Sequence, residues 1–124
     1  MEKLLTVTEL AGVMGITPRT IRFYETKKLL KPQRVGTTRA YTYRDRARLQ
    51  LILRAKRLGF SLSDIREYLE LYNVDPDQLG QQRLLLMNVR KRIEELEQQQ
   101  IDLVESLHEL REIERQTAAN IEGP

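Results

Sequence analysis

The side chains able to do chemistry in this sequence are mainly cationic. In the run Pro18-Arg19-Thr20-Ile21-Arg22-Phe23-Tyr24-Glu25, helical spacing turns Ile21 and either Phe23 or Tyr24 partly inward. It leaves Arg19, Thr20, Arg22 and Tyr24 near the outward surface of the helix start. A DNA major groove admits one α-helix, and Arg and Thr near a helix start can reach base edges or phosphates there. A second group, Arg34, Thr37, Thr38, Arg39 and Tyr41, surrounds Gly36. A glycine tip lets the backbone approach a phosphate or enter a minor groove, and flanking arginines supply the attraction. The third group is Arg57-Leu58-Gly59-Phe60-Ser61-Leu62, where helix N-terminal amides at Ser61 make a phosphate seat beside Arg57, and Phe60 and Leu62 suit a core. The first two groups also have plainer readings, the helix pair as a solvated basic face and the wing as arginines that protect a hairpin edge.

Other chemistries are poorly supplied. The chain has no cysteine, which excludes a disulfide, a thiolate metal site, an iron–sulfur cluster and a thiol nucleophile. Its one histidine, His108, falls on a helix surface where solvent is the expected neighbour. No Gly-rich phosphate loop is present, and Glu94, Glu95, Glu97 and Glu109 read as a charged helix face rather than an acid/base pair. The expectation is a binding protein with no cofactor and no metal, not an enzyme. The longest apolar run, Leu84 to Met87, is four residues, far short of the ~20 that cross a bilayer. The chain therefore reads as cytoplasmic, with no membrane partner.

The elements that must position these groups are marked by helix signals. Thr6-Val7-Thr8-Glu9 is a capping box that predicts a short helix to about Met14, ended by Gly15. Thr17 stands at an N-cap with Pro18 at the first helical position, which predicts a second helix to about Lys28 and hence a helix-turn-helix. From Pro32 to Thr42, β-branched and aromatic residues flank Gly36, the pattern of a two-stranded hairpin, or wing. Thr42 with Asp45 opens a third helix with Leu49, Ile52 and Leu53 on one face, closed by Gly59. Ser61 with Asp64 opens a fourth, carrying Ile65, Tyr68, Leu69 and Tyr72 to about Asn73, with a turn over Asn73 to Pro76.

After Pro76 one helical pattern continues to about Ala119. Leu86, Ile93, Gln100 and Leu107 recur every seven residues, and Val89, Leu96, Leu103 and Leu110 lie three residues after each, an a/d heptad seam. A helix of about 40 residues is roughly 60 Å long, too long for the small domain before it to cover. The seam calls for a partner helix, most economically from a second copy of the chain. Gln100 at an a position either fixes the register or marks a local break. The charge divides in the same way. The net +3 of the 124-residue chain comprises 15 basic and 5 acidic residues through Arg66 (+10), then 6 basic and 13 acidic (−7). A basic domain of that charge suits a polyanion, and the acidic, Leu-rich remainder suits protein pairing. The expected organisation is a DNA-binding domain over 1–75, a dimerisation helix over 76–119 and a disordered tail over 120–124.

The order of a helix-turn-helix, "RTIRFYETKKLLKPQR", the wing "RAYTYRD", "LRAKRLGFSLSDIREYL" and a terminal coiled-coil helix resembles the MerR family of bacterial transcription regulators over essentially the whole chain. The resemblance implies a mainly α fold, with a winged helix-turn-helix followed by a C-terminal helix that forms an antiparallel coiled coil in a homodimer. It also implies binding to double-stranded promoter DNA, with the spacer between the promoter elements bent and untwisted so that RNA polymerase engages both. By matching position it assigns DNA contact to Thr17, Arg19, Arg22 and Tyr24 from the helix. It assigns Arg34, Thr38, Arg39 and Tyr41 to the first wing, and Arg57 and Ser61 to the second. The chain departs from the family's metal and redox sensors in lacking their cysteines, and from its drug sensors in having no large domain after the helix. The stretch "DRARLQLILRAKRLGFSLSDIREYLELY" most resembles regulators of branched-chain amino acid and fatty acid catabolism, the LiuR type. That likeness implies an acyl-CoA-like organic effector, although no residue marks a site for one. The alternative is a winged-helix adaptor that grips a protein partner, against which the basic face argues.

Overall fold

Capping residues start the first four helices where the sequence places them. The computed structural model describes residues 3–74 and 78–123. Its order is α1 (Val7–Met14), α2 (Pro18–Thr26), β1 (Gln33–Val35), β2 (Thr38–Ala40), α3 (Tyr43–Leu58), α4 (Leu62–Val74) and α5 (Leu79–Glu122). At α1 the Glu9 N–H donates to Thr6 Oγ1 (3.1 Å) and the Thr6 N–H to Glu9 Oε1 (3.0 Å). That backbone N–H holds the Glu9 carboxyl below the usual carboxylate range. Thr42 and Asp45 form the same reciprocal box at α3, and Ser61 Oγ accepts from the Asp64 N–H at α4 (3.0 Å).

Three helices end in one way. A residue of positive φ is followed by an apolar residue whose N–H reaches back to a carbonyl in the last turn, the Schellman arrangement. These are Gly15 (φ 69°) with Ile16 bonded to the Ala11 carbonyl, and Gly59 (φ 96°) with Phe60 bonded to the Ala55 carbonyl. The third is Lys28 (φ 63°), with Leu29 bonded to the Tyr24 carbonyl at 2.9 Å. Lys28 is therefore the left-handed cap of α2, which stops at Thr26 instead of running to about Lys28 as expected. No glycine marks this stop.

The wing is an antiparallel pair with Gln33 opposite Ala40, Arg34 opposite Arg39 and Val35 opposite Thr38. Its Gly36-Thr37 turn has positive φ only at Gly36 (65°), the φ pattern of a type II′ hairpin turn, which favours glycine there. Beyond β2, Tyr41 pairs with Leu5 through both backbone bonds (2.8 and 2.9 Å), so the segment before α1 fastens the base of the wing.

Two compact units divide the chain, Met1–Leu84 and Leu85–Pro124. In the first, Leu10 and Ala11 of α1, Ile21 and Tyr24 of α2, Leu29, Leu30, Tyr41, Leu49 and Ile52 of α3, and Ile65 and Leu69 of α4 form one core. Phe60 and Leu62 pack against it, as their spacing suggested. The first turn of α5 belongs to this unit. There Gln81 is buried and donates from Nε2 to the Tyr68 carbonyl (2.8 Å). The second unit is the remainder of α5, with its apolar seam exposed. Helix α5 continues past the expected end at Ala119 through Glu122, so residues 120–122, expected in a disordered tail, are helical. The expected turn over Asn73 to Pro76 is helical at Asn73 and Val74, and its other two residues lie outside the described residues, as does the Tyr72 side chain.

Candidate nucleic-acid interface

Helix α2 presents one basic face because its apolar residues have somewhere to go. Ile21 is fully buried, and the Tyr24 ring, 7% exposed, packs into the core. Arg19, Arg22, Phe23, Thr26 and Lys27 stay outside. The alternative left open between Phe23 and Tyr24 resolves with Tyr24 inward and Phe23, 46% exposed, outward. Lys27 Nζ sits 5.6 Å from the Phe23 ring centroid. At the helix start Thr17 Oγ1 accepts from the Thr20 N–H (3.2 Å), and the two hydroxyls are 2.9 Å apart. These threonines thus fasten the first turn, beside which the Arg19 and Arg22 guanidinium groups project. Among the described residues, no hydrogen bond or ion pair engages the guanidinium groups of Arg19, Arg22, Arg34 or Arg57, while the Arg22 carbonyl accepts from Thr26 Oγ1 (3.0 Å).

Two of the residues expected to contact DNA are buried. Tyr24 and Tyr41 belong to the core and offer almost no surface to a duplex, since Tyr41 is fully buried. Both rings are large apolar surfaces that the small domain needs inside. Burial raises the Tyr24 phenol above its ordinary value. Burial, reinforced by the Glu25 carboxylate, raises that of Tyr41 much further. The Tyr41 hydroxyl donates to Glu25 Oε1, and Arg39 Nε lies 2.9 Å from Glu25 Oε2. No capping motif accounts for Glu25. Yet this carboxylate joins the end of α2 to the wing.

On the wing, Arg34 and Thr38 are exposed and Arg39 is half-buried. In the second loop, Arg57 and Ser61 are exposed, and Ser61 Oγ serves as the α4 cap acceptor while its O–H stays available to donate. Not every arginine in the basic segment is offered outward. Arg48 Nε donates to the Leu29 carbonyl (2.6 Å), and Arg66 donates to the Lys27 carbonyl. Both staple the loop that connects α2 to the wing. Burial lowers the Arg48 guanidinium from its ordinary value, against the opposing pull of Asp45. No cluster of three or more His, Asp or Glu side chains able to hold a metal occurs among the described residues.

On α5 the seam residues Leu86, Ile93, Leu96, Leu103, Leu107 and Leu110 are between 42% and 61% exposed, with Val89 half-buried and Gln100 exposed. No described helix is long and apolar enough to cross a membrane.

Residues 5–72 match the family model described as the MerR HTH family regulatory protein, and residues 46–113 match the model of the MerR DNA-binding region. The chain is 37% identical over 107 residues to the HTH-type transcriptional regulator ZntR of Escherichia coli K12, covering 78% of this chain and 74% of that protein. It is 35% identical over 93 residues to the transcriptional activator mta of Bacillus subtilis, covering 73% of this chain and 36% of that one. Among solved structures it resembles HiNmlR, described as a MerR family regulator lacking the sensor domain and bound to promoter DNA. The TM-score is 0.65 at 29% identity, covering 74% of this chain and 71% of that one. The N-terminal part of the Bacillus subtilis multidrug transporter activator, MtaN, aligns with a TM-score of 0.52 at 33% identity, covering 76% and 92%.

Proposed function

Because the chain belongs to the MerR family of DNA-binding transcriptional regulators, we propose that it binds promoter DNA as a homodimer and distorts the spacer to control RNA polymerase. The observation that carries this reading is the outward face of α2, where two unengaged guanidinium groups stand beside a capped first turn that holds the helix start rigid. That is the arrangement a major-groove helix needs, with phosphate contacts fixing the register and base contacts reading sequence. Arg34, Thr38 and Arg39 of the wing, and Arg57 and Ser61 of the second loop, contribute backbone contacts on either side. Thr17 and Thr20 act on the helix start.

The exposed leucine seam of α5 supports pairing of two copies, in which Leu86, Val89, Ile93, Leu96, Gln100, Leu103, Leu107 and Leu110 meet a second helix in antiparallel orientation. Two half-sites follow, and a palindromic operator with them. The division of labour is a DNA-binding domain over 1–75 and a dimerisation helix over 76–119. An organic effector of acyl-CoA type fits the lack of cysteine thiolates. Selection of duplexes from a random library, followed by circular-permutation gel shift, tests the reading. The expected result is a two-fold symmetric site whose mobility depends on its position in the fragment. Absence of any enriched duplex at moderate salt would overturn it in favour of a protein-binding adaptor.

A further inference from the structure

Glu25 is the acidic residue of α2, and it faces the wing. Its side chain is only 10% exposed, with Tyr41 donating to one carboxylate oxygen and Arg39 Nε lying against the other. The hairpin register sets Arg34 directly opposite Arg39. Two like charges facing each other across paired strands weaken a hairpin unless anions neutralise them. Glu25 supplies one anion, and it meets Arg39 along the Nε edge at 2.9 Å, an ion pair by distance rather than an aligned hydrogen bond. A guanidinium carries its remaining donors on the two terminal nitrogens, which a phosphate can bridge. The Arg39 side chain keeps 38% of its surface exposed, and Arg34 has no ion-pair partner among the described residues.

We propose that Glu25 is a positioning residue for DNA. It holds Arg39 so that the terminal nitrogens of Arg39, together with Arg34, close on a single phosphate. In doing so it fixes the wing at a set distance from α2, so that base-reading helix and phosphate-gripping wing engage in register. Tyr41, whose backbone is pinned to Leu5, holds the carboxylate from the core side. The inference rests on the reading of the chain as a duplex binder.

The full chain and its Glu25→Gln, Arg39→Ala and combined variants are titrated on a selected duplex and on a random duplex across a salt series. Glu25→Gln is expected to weaken both duplexes and to lower the slope of log K against log salt by about 0.9, the loss of one phosphate. Arg39→Ala is expected to do the same, and the combined variant to lose no more than Arg39→Ala alone. If Glu25→Gln binds as tightly as the unaltered chain or more tightly, or if the two losses add, the proposal is overturned. Should Glu25→Gln fail to fold, Tyr41→Phe keeps the buried ring and removes only the hydroxyl that holds the carboxylate. A smaller loss in the same direction is then expected, and unchanged affinity and slope would overturn the proposal. An unaltered chain that binds no duplex sinks the duplex-binding reading itself, and this inference with it, a result distinct from a variant that binds normally.

Discussion

Arg48 and Arg66 show why charge counting alone misplaces a binding surface. Both lie in the basic segment, yet each donates to a carbonyl of the loop between α2 and the wing. Replacing Arg48 by Met keeps the stem and removes the donor, leaving the Leu29 carbonyl in a part-buried site without its partner. That is expected to destabilise the chain by about 1–3 kcal/mol in urea titration, with no change of salt slope on DNA while the variant is folded. Arg19→Ala is expected to do the reverse, leaving stability within about 0.5 kcal/mol and relaxing sequence preference in a repeated library selection. Sequence spacing found the outward arginines, because 3.6-residue periodicity fixes which positions share a face. It could not choose between Phe23 and Tyr24, adjacent on the helix and similar in size. The burial of Tyr41 was not legible, because alternation along the three-residue strand before it says nothing about which face the core covers. Glu25 was legible by elimination. Of the five acidic residues through Arg66, Glu9, Asp45 and Asp64 sit three places after capping residues, which leaves Glu2 and Glu25, and of these Glu25 is the one inside a predicted element.

Helix boundaries divide by the chemistry that sets them. Starts at Thr6, Thr17, Thr42 and Ser61 were readable because a side-chain oxygen at the N-cap is a residue-type requirement. Stops at Gly15 and Gly59 were readable because glycine takes positive φ without a Cβ penalty. The stop of α2 was not, since Lys28 takes φ 63° and does so because Leu29 is drawn into the core as the apolar residue after the cap. Holding a lysine there costs roughly 1–2 kcal/mol. Lys28→Gly relieves that strain at the expense of a more flexible unfolded chain. The expected net gain is about 0.5–1 kcal/mol, seen as a rise in Tm of a few degrees. Gly59→Ala, which imposes the same strain at φ 96°, is expected to lower Tm by a similar amount. If Lys28→Gly lowers Tm, the lysine side chain supplies a contact that outweighs the strain.

The molecule as a whole separates its charge along the same division as its packing. Through Leu84 there are 16 basic and 9 acidic residues, +7 net, and from Leu85 onward 5 basic and 9 acidic, −4 net. Among its described residues the second unit has no core of its own, only a helix with an apolar stripe in which Leu103 is 61% exposed and Leu107 42% exposed. A stripe of that length in water is worth covering at about 25 cal/mol per Å² of apolar surface, and the proposed second copy covers it without any new sequence. Leu103→Glu puts a charge at the middle of the seam. An unpaired charge there is costly to desolvate, so pairing and not folding of the first unit is what the variant disturbs. Sedimentation equilibrium is expected to show a dimer for the unaltered chain and a monomer for the variant, and the dependence of Tm on protein concentration is expected to vanish. DNA binding then separates affinity from reading. A monomer reaches one half-site, so its salt slope is expected to fall to about half that of the unaltered chain. Sequence preference within that half-site should survive, because α2 and the wing are assembled within the first unit. A Leu103→Glu chain that remains dimeric and keeps the full slope would show that the heptad seam is not where two copies meet.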